Sequence, residues 1–207
     1  NLLVNTVLAS FLATGAISYL YYSDRLLEFP IGIFAVAIST VILPALSRVN
    51  IKEDHSTYEK TLDWGVRLVL LLGLPSMMGI IALREPILRV LFMRGAFTSD
   101  HVLLSSASLI ASVSGLCAIM LVRVLVQGFA ALQDTKTPVR CGIISMGANI
   151  VFNLILVWPL GYVGLALSTA LAAYVNAGQL LYLLYKRKIY TLSSFSLKFI
   201  TKALVAA

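Results

Sequence analysis

Tyr21-Tyr22-Ser23-Asp24-Arg25-Leu26-Leu27-Glu28-Phe29-Pro30 sets three charges inside an otherwise uncharged stretch. The 23 residues before Asp24 carry no Asp, Glu, Lys or Arg, and neither do the 19 residues from 29 to 47. Apolar runs of about 20 residues cross a bilayer as helices. The stretch therefore reads as membrane-embedded chain with ionisable groups within it or at its edge. An arginine at the bilayer centre costs roughly 2.5–3.5 kcal/mol on insertion scales, so it usually faces a cavity, a partner or a substrate.

Two readings of the trio fit. On a helix, Asp24 and Glu28 stand four apart and Arg25 three before Glu28, so all three project into a sector of roughly 100°. A cation held between two acids is close to neutral as a unit. It still offers fixed donors to a phosphate or diphosphate. In the second reading, residues 23–28 form an outer loop and Pro30 opens the next helix. Tyr21 and Tyr22 suit either reading, as cavity lining or as an interfacial belt.

The rest of the chain extends the membrane reading. Of 207 residues, 59% are apolar and only 12% charged, and apolar runs recur along the whole length. The fold class is all-α, a polytopic transmembrane helical bundle. A β-barrel is excluded, because its strands alternate polar and apolar residues in short steps. Spans are expected at about 1–12, 16–47, 64–82, 102–131, 139–157 and 162–185, with another starting near 195. A bundle over 1–190 and the start of an additional helix over 191–207 follow from this. The second span would be about 48 Å long at 1.5 Å per residue, so tilt, a kink or protrusion is expected. Asn1 opens directly into an apolar run without a basic leader. Lys202-Ala-Leu-Val-Ala-Ala stops partway through another. Both ends are expected to be cuts in a longer protein.

The net charge of +7 is no nucleic-acid signal, because the basic residues sit mostly in short loops. Arg48, Lys52, Lys60, Lys136, Arg140, Lys186, Arg187 and Lys188 fall on one side. Arg84, Arg89 and Arg94 fall on the other. This bias places the first side in the cytoplasm. Residues 84–100 mix apolar residues with three arginines and read as an amphipathic helix on the outer interface, ended by Gly95. An interfacial anchor is the plainer role, a lid the alternative. Glu53, Asp54 and Glu59 are expected in a solvated cytoplasmic loop.

Other polar residues carry bland and sharp readings. Asn5, Asn149, Asn153, Thr169 and Asn176 suit interhelical hydrogen bonds, and alternatively a weak cation site of neutral oxygens. Arg123 and Gln127, near the inner end of the fourth span, suit snorkelling to headgroups or lining the mouth of a polar cavity. Cys117 and Cys141 read as buried small residues. His55 and His101 have no metal-ligand spacing. No Ser-His-Asp set, Cys-His pair or phosphate-cradling loop is present in the sequence, so a transporter is expected rather than an enzyme.

Several motifs together resemble one family. They are Tyr22-Ser-Asp-Arg-Leu-Leu-Glu-Phe-Pro-Ile-Gly with Ala-Ile-Ser-Thr-Val-Ile-Leu-Pro-Ala-Leu-Ser47, Asp63-Trp-Gly, Leu91-Phe-Met-Arg-Gly-Ala-Phe, and Gln133-Asp-Thr-Lys-Thr-Pro-Val139. In this order they resemble the MurJ (MviN) lipid II flippases of the multidrug/oligosaccharidyl-lipid/polysaccharide exporter superfamily. The resemblance implies the C-lobe of a two-lobe exporter fold, running from helix seven into helix thirteen, in the bacterial inner membrane. It implies a substrate, lipid II (the undecaprenyl-diphosphate-linked peptidoglycan precursor), moved to the outer leaflet by alternating access. It implies as partners membrane lipids and an N-terminal lobe. By resemblance Arg25 is a cavity arginine engaging the diphosphate, with Asp24 and Glu28 beside it. Some members bind sodium in this lobe. The matching positions are Asn5, Asn149, Asn153 and Thr169, with amides where a carboxylate can occur, so sodium is the one cofactor in question. A related exporter of another lipid-linked oligosaccharide or a drug is the alternative.

Overall fold

The computed structural model describes residues 15–49, 54–93 and 98–190, and among these the secondary structure is helical throughout. In order come α1 (Ala16–Pro30), a π-helical turn (Ile31–Ala35), α2 (Val36–Ser47), α3 (His55–Ala82), α4 (Arg84–Phe92), α5 (Ser99–Ser114), α6 (Leu116–Ala131), α7 (Lys136–Leu160) and α8 (Tyr162–Lys186). Five stretches are long and apolar enough to cross a membrane: Ile17–Ser47, His55–Ala82, Ser99–Ala131, Lys136–Leu160 and Tyr162–Lys186. They coincide with the expected second to sixth spans. The expected spans at 1–12 and from 195, the segment 191–207, and Asn5, Lys52, Glu53, Arg94 and Gly95 lie outside the described residues.

The loop reading of the charged trio is wrong. α1, the π turn and α2 run as one continuous helical path, and Asp24, Arg25 and Glu28 sit inside α1. Pro30 does not open a helix; it lies within one. Proline lacks the N–H that an α-helix needs at that position, and the chain responds with a wider turn, closed by the Val36 N–H on the Ile31 carbonyl. Such single π turns often mark functional positions.

α3 starts nine residues earlier than expected. Asp54 caps it, its carboxylate accepting the Thr57 N–H at 3.0 Å, so Glu59 and Lys60 are helical rather than loop residues. Asp54 is held below the usual carboxylate range by its bonds to Thr57. α4 is the expected short amphipathic helix. Leu88 is its buried residue, and the Phe92 ring packs tilted against Tyr22, centroids 4.7 Å apart.

The α5–α6 span is the centre of the bundle. In its most apolar window 61% of residues are buried, against 17% for α7, so α5–α6 is wrapped by the others while α7 stands at the edge. α5 packs on α1, α4 and α8, and α6 packs on α2, α3 and α8. Leu109, Val113, Leu116, Met120, Val124, Leu125 and Phe129 are fully buried along it. The two halves meet at Gly115, where a Cβ would lie 2.6 Å from the Ala170 backbone of α8. Only glycine admits that approach. α7 packs chiefly on α8. Gly161, at φ 57° and ψ −132°, turns this hairpin, a conformation L side chains rarely adopt.

Candidate functional site

Arg25 is the centre of the first constellation. Its Nε donates to the Tyr21 hydroxyl at 3.0 Å and its Nη1 to Glu28 Oε2 at 2.9 Å. The guanidinium also lies 5.0 Å from the Tyr21 ring centroid. Tyr21, Arg25 and Glu28 occupy positions i, i+4 and i+7, so helix geometry alone assembles them. All three, with Asp24, are exposed on the surface of this bundle. The opposite side of α1 is fixed: Ser23 is fully buried, its hydroxyl sharing a 2.7 Å hydrogen bond with Ser108 and reaching the Ser105 carbonyl at 3.2 Å. This serine contact prevents α1 from rotating and so sets which way the charged face looks. A guanidinium has five N–H donors. Two are engaged among the described residues, leaving a fork for an anionic oxygen.

Arg123 and Gln127 do not join the trio. They line a groove of about 570 Å³ between α2 and α6, together with Ser39, Thr40 and Pro44. Thr40 is fifteen residues beyond Arg25 on the same helical path, or about 22 Å at 1.5 Å per residue. Arg123 also borders a smaller groove of about 270 Å³ between α6, α7 and α8, with Ser145, Thr169 and Asn176. It makes no ion pair or hydrogen bond among the described residues.

The amides form a chain between α7 and α8. Asn153 Nδ2 donates to Asn149 Oδ1 at 3.3 Å, and the Ser168 hydroxyl donates to Asn153 Oδ1 in a short contact. Thr169 donates to the Leu165 carbonyl at 3.1 Å. Asn149 and Asn153 are fully buried. The buried Asn149 Nδ2 has no acceptor, and an amide N–H₂ in want of an acceptor is not a cation ligand. Of the expected sodium set, Asn149 and Asn153 are joined to each other and, through Ser168, across α7 and α8, Thr169 bonds within α8, and Asn5 lies outside the described residues.

Two polar clusters at the end of the bundle where α6 leads into α7 were not expected as such. Asp134 accepts the Thr137 N–H at 3.0 Å, the Thr137 hydroxyl at 2.6 Å and Arg187 Nη1 at 2.6 Å. Arg187 Nη2 also reaches the Thr137 hydroxyl at 2.9 Å. These bonds, the one from Thr137 largest among them, hold the Asp134 carboxyl down at about 2. Asp134 sits in the turn before α7 and Arg187 at the end of α8, so the pair closes the hairpin opposite Gly161. The Asp-x-x-Thr spacing was a readable capping signal, whereas Arg187 lies 53 residues away. The second cluster joins the buried Tyr190, whose hydroxyl donates to Asp63 Oδ1 at 2.9 Å, with Arg67, 2.5 Å from Asp63 Oδ2. Burial first, and Asp63 second, raise the Tyr190 phenol above its ordinary value. Cys141 is buried and Cys117 half-buried, both as free thiols. No group of His, Cys, Asp and Glu suited to a metal occurs among the described residues.

Comparisons with known proteins converge. The family model for "Lipid II flippase MurJ" matches residues 1–207. A "Probable lipid II flippase MurJ" of Vibrio cholerae is 50% identical over 206 residues, covering 100% of this chain and 39% of that protein. The protein of the same description from Haemophilus influenzae is 49% identical over 217 residues, covering 100% and 42%. A solved structure of "Lipid II flippase MurJ, inward closed conformation" superposes with a TM-score of 0.79 at 34% identity, over 98% of this chain and 44% of that one. The chain spans about two fifths of the length of these curated relatives.

Proposed function

Since the chain belongs to the lipid II flippase MurJ family, we propose that it is the C-terminal lobe of a flippase carrying lipid II from the inner to the outer leaflet. It is an all-α, multi-pass protein of the bacterial inner membrane, one lobe of the two-lobe exporter fold. In the proposed mechanism, this lobe and an N-terminal lobe rock about a shared cavity. The cavity takes the diphosphate-sugar headgroup from the cytoplasm and reopens outward while the lipid tail stays in the bilayer. No bond of the substrate is made or broken, so the reading is that of a transporter and not an enzyme.

The observation that carries the proposal is Arg25. Its guanidinium is exposed on a face of α1 held in place by Ser23, braced by Tyr21 and Glu28, with donors left over. A carboxylate on one edge and a free fork on the other hold the plane ready for a diphosphate oxygen. Glu28 pairs with Arg25 before substrate enters, and Asp24 lies beside them. Arg123 and Gln127, on α6 beside Thr40, line the inner mouth. On this reading Asn149 and Asn153 serve the packing of α7 on α8, and transport by the assembled lobes should not depend steeply on sodium.

The test is complementation in a flippase-depleted bacterium, with this chain co-expressed with a matching N-terminal lobe. Rescue by the parent, loss with Arg25→Ala and clear weakening with Arg25→Lys, at equal membrane levels, is the expected pattern. Lysine keeps the charge and loses the fork. Rescue by Arg25→Ala would make Arg25 a surface charge and end the proposal. Rescue by no pair, with folded chains in the membrane, would move the substrate elsewhere.

A further inference from the structure

Leu91, Phe92 and Met93 lie at the end of α4. Leu91 and Met93 are exposed, whereas Phe92 is half-buried and packs against the core. Its ring meets Tyr22 of α1 with centroids 4.7 Å apart and planes at 48°. Tyr22, also half-buried against the core, meets Tyr21 edge-on, with centroids 5.9 Å apart and planes at 73°. Tilted and edge-to-face contacts at about 4.5–7 Å are the arrangements that aromatic rings prefer. Tyr21 in turn holds Arg25 twice, by its phenol oxygen on Nε and by its ring face near the guanidinium. The three rings and the guanidinium form a line that starts against the core and ends at the exposed charge.

We propose that Phe92 is a positioning residue for Arg25, acting through Tyr22 and Tyr21. Arg25 and Glu28 keep 54% and 65% of their side-chain surface exposed. An ion pair that open holds two long side chains weakly, because their rotamer entropy opposes it. Tyr21 is itself 53% exposed, and the ring it rests on is that of Tyr22. A planar fork recognises an anion only while its plane is held. Rings hold it well, since a tyrosine has few side-chain torsions to freeze. Without the Phe92 ring, Tyr22 gains room toward α4, Tyr21 loses a fixed edge to rest on, and the guanidinium is left to Glu28. α4 packs on α5, the helix whose Ser105 and Ser108 hold Ser23. The ring line and the serine contact therefore tie the charged face of α1 to the same neighbour. The effect on transport rests on the reading of Arg25 as the anion-binding group; the line of contacts does not.

Two readouts test it. The first is the Arg25 Nε resonance of the ¹⁵N-arginine-labelled chain in detergent micelles, assigned by its loss in Arg25→Lys. The second is the expression needed for rescue when the chain is paired with a matching N-terminal lobe in the flippase-depleted bacterium. Phe92→Leu keeps apolar bulk and removes the ring. It should shift the Arg25 resonance and raise the expression needed for rescue roughly two- to tenfold, the scale of one aromatic pair. Phe92→Tyr, which keeps the ring, should leave both near the parent. Tyr190→Phe, destabilised with the ring line intact, should leave the Arg25 resonance in place. In a Tyr21→Ala background, Phe92→Leu should add almost nothing. If Phe92→Leu lowers helix content, Tyr22→Leu breaks the line from the α1 side, with the same expected shift. Four results would each overturn the proposal: an Arg25 resonance unmoved by both leucine variants, one moved as far by Tyr190→Phe, an equal effect of Phe92→Leu with and without Tyr21, or a shifted resonance with unaltered rescue. Rescue by Arg25→Ala at parental expression would instead end the anion-binding role of Arg25, and the resonance would still decide whether Phe92 positions it.

Discussion

Removing the charge of Asp134 should loosen the α7–α8 hairpin by an amount the structure sets. The carboxylate accepts two bonds from Thr137 and one from Arg187, and its pKa falls from 3.8 to about 2. Taken at face value, that shift is worth about 2.4 kcal/mol at neutral pH. The side chains keep 21% and 41% of their surface exposed, so water screens part of it, and about 1–1.5 kcal/mol is the expected cost of Asp134→Asn. The sign follows from the direction of the shift. A depressed folded-state pKa stabilises above the unfolded value near 3.8, and the benefit disappears as the pH falls through 3.8 toward 2. Unfolding by dodecyl sulfate in mixed micelles, followed by helix signal, measures the difference. The parent should exceed the variant by a constant margin from pH 5 to 8, the margin should shrink below pH 4, and the two should converge only as the pH falls through 2. Arg187→Gln added to Asp134→Asn should cost less than it does alone, because the pair would already be broken. A margin that ignores pH, or full additivity of the two substitutions, would refute the reasoning.

Three further outcomes are expected. Gly115→Leu should destabilise the bundle by about 1–3 kcal/mol or more, since even its Cβ meets the Ala170 backbone at 2.6 Å; unfolding in the same micelles reads it, and a neutral result would mean α5 and α8 are further apart. Tyr190→Phe should cost about 1 kcal/mol through loss of the Asp63 bond. Because the folded-state phenol is raised, the parent should lose stability above pH 10, where the unfolded chain releases its proton first; the phenylalanine variant should lose less there. Pro30→Ala should let the helix tighten, and spin labels at Ile17 and Thr40 would report the altered distance; an unchanged distance would show that packing, not proline, imposes the π turn.

Much of this was legible in the sequence, for physical reasons. Charge-free runs of bilayer length announce the spans, and the loop arginines and lysines order them. Residues 16–47 were legible as one span, but whether the charged trio sat in helix or in a loop was not. Asp24 to Pro30 has the composition of a loop as much as of a helix, and a π turn leaves no residue signature. The early start of α3 was obscured because Glu59 and Lys60 look like loop residues, although Asp54 was a readable cap. Arg25 could be singled out because a charge in an apolar run is conspicuous by itself. Arg187 and Tyr190 could not, because each matters through a partner far away in the chain. Asn176 was noticed only as one amide among several. That its buried Oδ1 has no donor among the described residues is a property of packing that no spacing rule conveys.

The π turn makes one short stretch of the chain forgiving of length. In a regular α-helix, losing one residue swings everything beyond it by about 100° and draws it back by about 1.5 Å. A single π turn already holds one residue in excess of the α repeat. Excising Gly32, whose Cβ position meets open space, would let residues 31–35 relax to ordinary winding while Ile38, Ile42 and Leu46 still fall on the buried side. The same excision at Leu20 would carry Arg25 off its present side of the bundle. Natural variation in length along this span should therefore collect just after Pro30, like slack gathered at a single link.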